Sequence, residues 1–212
     1  MTEWILINRN LLLALSFAGL STNLYAQEPA DYWQQFKKAK QLCEQNKFKD
    51  ALAILEALEK SKADYNIELV LGDTYSAQGK LAQALYTYQL ALEHGTAAKN
   101  SVIERVALFK IGRVQLALKN YPAAAAIYHR LLATKLDKED DAVARQGYQT
   151  AHDNAVIELL EKARLLIDKN EGKQAYQLIK PHLVEENAFS FYIIAAQAKA
   201  IMNEPFDIGA DF

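Results

Sequence analysis

The chain has 212 residues, a formal charge of −2 and apolar side chains at 51% of its positions, enough for one good core or a string of small packed units. So balanced a charge supplies no field for steering onto nucleic acid or acidic lipid. The basic residues are interspersed with acidic ones, as in FKKAKQ and EQNKFKD, and read as solvated helix faces, so nucleic acid is excluded as a partner class.

The first element is an apolar run, LLLALSFAGL (11–20), preceded by Arg9 and followed by STN and then Ala26. A charged start, a short apolar stretch and a small residue before Gln27 predict a secretory signal peptide over 1–26, and hence a periplasmic or secreted mature chain. Glu3 offsets Arg9, and Leu24 is larger than the residue usually found two places before a cut. The alternative is a chain anchored through this N-terminal helix, but ten strongly apolar residues fall short of the about 20 that a span requires, even with Trp4–Ile7 adding some length. The mature chain is therefore expected to carry no integral membrane span. No cysteine lies near this segment to accept a lipid. Cys43 is the only cysteine, so no intrachain disulfide can form, and it reads as a small buried hydrophobe.

From Asp31 onward apolar residues recur at three- and four-residue steps, predicting helix after helix and no strand. Turn residues punctuate the pattern at Asn46-Lys47, Gly79-Lys80, Asn120-Tyr121-Pro122 and Asn170-Glu171-Gly172. Pro122 suits the first turn of a helix. The predicted hairpins cover about 32–61, 65–95, 98–135 and 138–186, with a partial fifth over 188–212. Residues 138–169 read as one long helix keeping Val143, Gly147, Ala151, Ala155, Leu159 and Ala163 on one face, with Asp137 to Asp140 favouring its N-terminus. The alternative is a break near Asp153-Asn154. Pro181 should kink or end the second helix of the fourth hairpin. After Phe189–Met202 the chain holds only the start of a further helix, so this segment is either the cap of the array or the first half of another pair.

Small residues then fall in register. Ala39 and Ala51, Gly72 and Ala84, Gly112 and Ala124, and Ala163 and Ala175 each lie twelve apart. Four residues past the second member stands a large one: Leu55, Tyr88, Tyr128 or Ile179. Three past the first comes Leu42, Tyr75, Gln115 or Leu166. The physical demand is close approach: where helices cross near a tight turn, a side chain larger than alanine would push the backbones apart, and a bulky residue one turn on fills the widening gap.

With those residues in place, LGDTYSAQGKLAQALYTYQLALEHG (71–95) resembles the tetratricopeptide repeat closely. IGRVQLALKNYPAAAAIYHRLL (111–132) resembles it well, and AKQLCEQNKFKDALAILEAL (39–58) and KARLLIDKNEGKQAYQLIKPHL (162–183) more loosely. The resemblance covers most of the mature chain and implies an all-α fold, an α-solenoid of stacked antiparallel hairpins, about four and a half in number. The spacings from Ala39 to Gly72, Gly72 to Gly112 and Gly112 to Ala163 are 33, 40 and 51 residues, against about 34 in the family. The extra residues precede the first helices of the third and fourth hairpins.

The resemblance implies a binding scaffold and not an enzyme. No HExxH, GxSxG or phosphate-binding glycine loop occurs. His94, His129, His152 and His182 lack metal-ligand spacing, and His182 reads as a packed structural histidine. The pairs Asp140-Asp141 and Glu185-Glu186 are neighbours that cannot share a helix face, so they read as solvated helix ends. No metal and no cofactor is expected. In the resembled family the first helices of successive hairpins line a concave groove, and by register that groove would receive Phe36, Lys40, Leu69, Asp73, Phe109, Arg113, Leu160 and Arg164. Apolar anchors beside three cations suit an extended segment of another protein bearing an acidic group. The alternative for several of the eight is packing between repeats. The expected function is an exported protein–protein adaptor. The alternatives are the N-terminal repeat region of a larger envelope machine exporting polysaccharide or protein, and the regulatory module of an enzyme.

Overall fold

The computed structural model describes residues 30–183 and 189–206. The expected signal peptide lies outside the described residues, as do the end of the fourth predicted hairpin (184–188) and the last part of the fifth (207–212). Among the described residues there is no strand. The helices are α1 (Ala30–Glu44), α2 (Phe48–Ser61), α3 (Tyr65–Ala77), α4 (Leu81–Ala97), α5 (Ser101–Ala117), α6 (Tyr121–Leu132), α7 (Lys138–Asp168), α8 (Gly172–Ile179) and α9 (Phe189–Ile201). A 3-10 turn at Lys180–His182 finishes α8. None of them is long and apolar enough to cross a membrane.

Each helix packs on the next one in the chain. The odd-numbered helices α1, α3, α5, α7 and α9 also touch one another in succession, whereas α2, α4, α6 and α8 do not. The core is accordingly divided. One cluster joins α1, α2 and α3 around Leu55, Leu58 and Ile67. A second joins α3, α4 and α5 around Tyr88 and Ile111. A third joins α5, α6 and α7 around Tyr128 and Leu131, and a fourth joins α7, α8 and α9 around Ile179 and Phe191. Each odd helix between the ends serves two clusters, burying one set of side chains on either side.

The turns explain the sequence punctuation. Helices α1, α3, α5 and α7 each end on a residue in the left-handed region: Asn46 (φ 58°), Gly79 (φ 72°), Lys119 (φ 58°) and Asn170 (φ 60°). In each the following N–H donates back to a carbonyl five residues earlier, that of Leu42, Tyr75, Gln115 or Leu166. This satisfies a helix-end acceptor and reverses the chain. Those four carbonyls belong to the residues that recur three places after each small one. At the third turn the left-handed position is Lys119, not Asn120, which instead precedes α6. Lys99 and Asn203 close α4 and α9 in the same way.

Helix α7 is continuous over 31 residues, as the periodicity requires. Asp137 accepts from the backbone N–H groups of Glu139 (3.1 Å) and Asp140 (2.8 Å), fixing its start. Its packed stripe is not quite the expected one. Ala144, Ala151 and Ala163 are buried, but Val143 is 48% exposed, because α6 meets the face centred on Ala144, Gly147 and Tyr148. Helix α8 stops two residues before Pro181, whose ring cannot be accommodated within a continuing helix.

The glycines correct one expectation. At Gly72 and Gly112 it is not a second backbone that closes in but the aromatic ring four residues past the second small position. A Cβ on Gly72 would overlap the Tyr88 ring, and one on Gly112 would meet the Tyr128 ring at 2.9 Å. Tyr128 also lies against Gly147 of α7, so its ring is held between two glycines. Backbone does approach backbone at Gly172, where a Cβ would lie 2.6 Å from the carbonyl oxygen of Ala198.

Candidate functional site

The eight residues expected to share a surface divide by character. The apolar ones are largely committed to cores. Leu69 is buried in the second cluster, Phe36 packs on the first, Phe109 on the third and Leu160 on the fourth. The charged ones, Lys40, Asp73, Arg113 and Arg164, are exposed.

Three of these four come together. Lys40 and Asp73 line a hollow of about 310 Å³ between α1 and α3, floored by Cys43, Val70 and Thr74. Asp73 and Arg113 line the next, of about 400 Å³, between α3 and α5. The two hollows share Asp73 and Ala77 and follow each other along the odd-numbered helices. Leu160 and Arg164 line neither.

Asp73 is the hub of this surface. Its Oδ1 accepts from the Tyr88 hydroxyl at 2.6 Å and from Lys110 Nζ at 2.6 Å. The ammonium of Lys110 also sits 5.7 Å from the centre of the Tyr88 ring. Burial and the bond to Asp73 push the Tyr88 phenol well above its ordinary range, while the nearby Arg113 guanidinium pulls the other way. Tyr88 therefore stays a neutral donor, and the buried ring on Gly72 aims its hydroxyl at the exposed carboxylate. Lys110 was not singled out in the sequence. The signal was its place three residues before Arg113, on the same face of α5. Together Lys40, Lys110 and Arg113 set three cations against two carboxylates, Glu44 and the already partnered Asp73, leaving the two hollows with one positive charge in excess.

At the other end of this surface, Phe36 lies under Lys40, whose Nζ is 5.9 Å from the ring centre, and packs edge-on against Trp33 at 5.9 Å. Trp33 is 44% exposed, so the surface opens with an accessible aromatic pair. Cys43 is half-buried, with Sγ 3.2 Å from Thr74 Oγ1. Tyr75 donates to Glu56 Oε1 at 2.7 Å, on the side away from the hub, and burial with that bond pushes its phenol up to about 12.

A second polar pair joins α3 to α4, its acid buried and its histidine partly exposed. Glu68 is fully buried, with Oε1 2.7 Å from His94 Nδ1 and Oε2 without a partner. Burial raises its carboxyl above the usual range, against the lowering influence of His94. Among the described residues, no three His, Cys, Asp or Glu side chains converge to hold a metal ion.

Compared with known proteins, the chain matches no protein-family model and no curated protein.

Proposed function

We propose that the chain is a tetratricopeptide-type solenoid that works as an exported protein–protein adaptor, taking an acidic segment of another protein along its odd-numbered helices. The observation that carries this reading is the pair of joined hollows around Asp73, rimmed by Lys40, Lys110 and Arg113. An excess of one sign of charge on a face recruits and orients a partner of the other sign, and arginine binds carboxylates in a two-point fork. Two further features support it. The odd helices touch in succession while the even ones do not, the contact pattern of a curved array whose inner wall is built by the first helix of each pair. Phe36 and Trp33 offer aromatic anchors at one end of that wall, the residue class that concentrates binding energy.

The test is photocrosslinking in the native cell envelope from a probe at Ser76, which lines the second hollow, against a probe at Tyr86, which is 63% exposed. A specific protein adduct is expected from position 76 and not from 86. Lys40→Glu with Arg113→Glu should reduce it about tenfold or more, the effect of opposing two charge-assisted contacts. Equal adducts from both positions, or an adduct that survives the double reversal, overturns the reading.

A further inference from the structure

Helix α7, at 31 residues, is much longer than its neighbours α6 (12 residues) and α8 (8 residues). Helix α6 packs on its first half through Ala144 and Ala151, and α8 and α9 pack on its second half around Ala163. Where α6 begins and α8 runs out, a stripe of α7 is left uncovered. Ala155, Val156 and Leu159 floor a hollow there of about 540 Å³, within the roughly 300–1,000 Å³ range of small-molecule sites. Pro122 and Leu178 form its apolar side walls. None of the eight residues assigned to the groove lines it.

The rim is polar, with Lys119, Lys162, His152 and His182 standing around Glu158, the one acid among the described lining residues. That acid is already held by Lys162 Nζ at 2.7 Å, and Asp153 lies 3.6 Å from His152 Nδ1 just outside. Lys119 has no acidic partner among the described residues, and it lines the mouth from the turn between α5 and α6. The imidazoles are braced by ring stacking, His152 on Tyr148 and His182 on Phe191 at 5.3 Å.

We infer that this hollow binds a small amphiphilic carboxylate, a short apolar chain ending in an acid, of which a medium-chain fatty acid is the simplest form. Two features select that occupant. From Ala155 to Leu159 the floor runs a single helical turn, about 6 Å, which suits a short chain and is too brief to seat a helix. Lys119, the rim charge with no acidic partner among the described residues, selects an anionic head. The apolar chain lies over Val156 and Leu159 against Leu178, and the carboxylate meets Lys119 at the mouth.

The experiment titrates octanoate into the full chain, read by amide chemical shifts and calorimetry, with octylamine and octanol in parallel. Octanoate should perturb residues 119–122, 152–162 and 178–182 and bind about tenfold or more tighter than either control, the worth of one charge-assisted contact. Lys119→Glu should weaken octanoate by about the same factor, and Val156→Trp, which fills the hollow, should abolish binding. Lys119 is exposed, so its variant decides the matter should Val156→Trp fail to fold. Equal binding of octylamine, shifts lying elsewhere or an unaffected Lys119→Glu variant overturns the inference. So does a leucine-terminated tripeptide binding about tenfold tighter than octanoate, since that would make the site one for a peptide end.

Discussion

The residue on which most of the middle of the chain turns is Tyr128. Its ring is fully buried between Gly112 and Gly147, so two helices depend on the absence of a Cβ. Gly147→Ala gains about 1 kcal/mol of helix propensity but forces a methyl into the ring, and overpacking of that kind costs about 1–3 kcal/mol. A net loss of roughly 1 kcal/mol, seen as a fall of a few degrees in thermal melting, is expected. In a Tyr128→Leu background the same substitution should cost nothing or stabilise, a coupling that a double-mutant cycle measures directly. Glu68 acts in the opposite sense, since its folded carboxyl holds its proton more tightly than the unfolded one. Its contribution to stability is therefore full below about pH 4.5, the ordinary value, and is lost as pH rises through the raised one. The nearby carboxylates of Glu59 and Asp64 raise the Glu68 carboxyl further, and the Glu68 charge in turn helps raise the Tyr32 phenol. Glu68→Gln should raise the melting temperature at pH 7 and leave it nearly unchanged near pH 4. A gain that is equal at both pH values would contradict this.

At the scale of the element, the sequence was most legible where backbone chemistry decides. The turn residues Asn46, Gly79 and Asn170, the stop before Pro181 and the unbroken run through Asp153-Asn154 all follow from local rules, and the structure bears them out. Legibility failed where the answer lay in a neighbouring helix. The twelve-residue spacing located Gly72 and Gly112, but nothing local says that Tyr88 or Tyr128 lies upon them. Gly147, outside that spacing, gave no sign of touching the same ring. Val143 shows the same limit, since periodicity marks a stripe but only the arrival angle of α6 decides which edge is covered. For the candidate groove, register placed Lys40, Asp73 and Arg113 together, whereas Lys110 and the partnering of Tyr88 emerged only in three dimensions. The start of α7 offers the cleanest test. Asp137→Ala removes an acceptor from two backbone donors and should destabilise by about 1 kcal/mol. Asp137→Asn should restore most of that, as read by denaturant midpoint.

Across the whole molecule, four cores follow one another in line, linked through α3, α5 and α7. Stability in such a chain is closer to a sum of neighbouring contributions than to a single cooperative block. Ile179 is fully buried in the last core, so Ile179→Ala should cost about 2–4 kcal/mol there. Amide exchange should then accelerate in α8 and α9 while the amides of α3 and α4 keep their protection. Uniform acceleration from α1 to α9 would mean that the cores do not open separately.

An odd-numbered helix is thus a party wall: knock out the room on one side and the other still needs it. The chain can be shortened or lengthened only by whole rooms, each an even helix with the wall that follows it. Copying Leu81–Asn120 in tandem, one room and its wall, should therefore yield a longer protein that folds. Copying a single helix would leave an apolar surface with no neighbour to cover it.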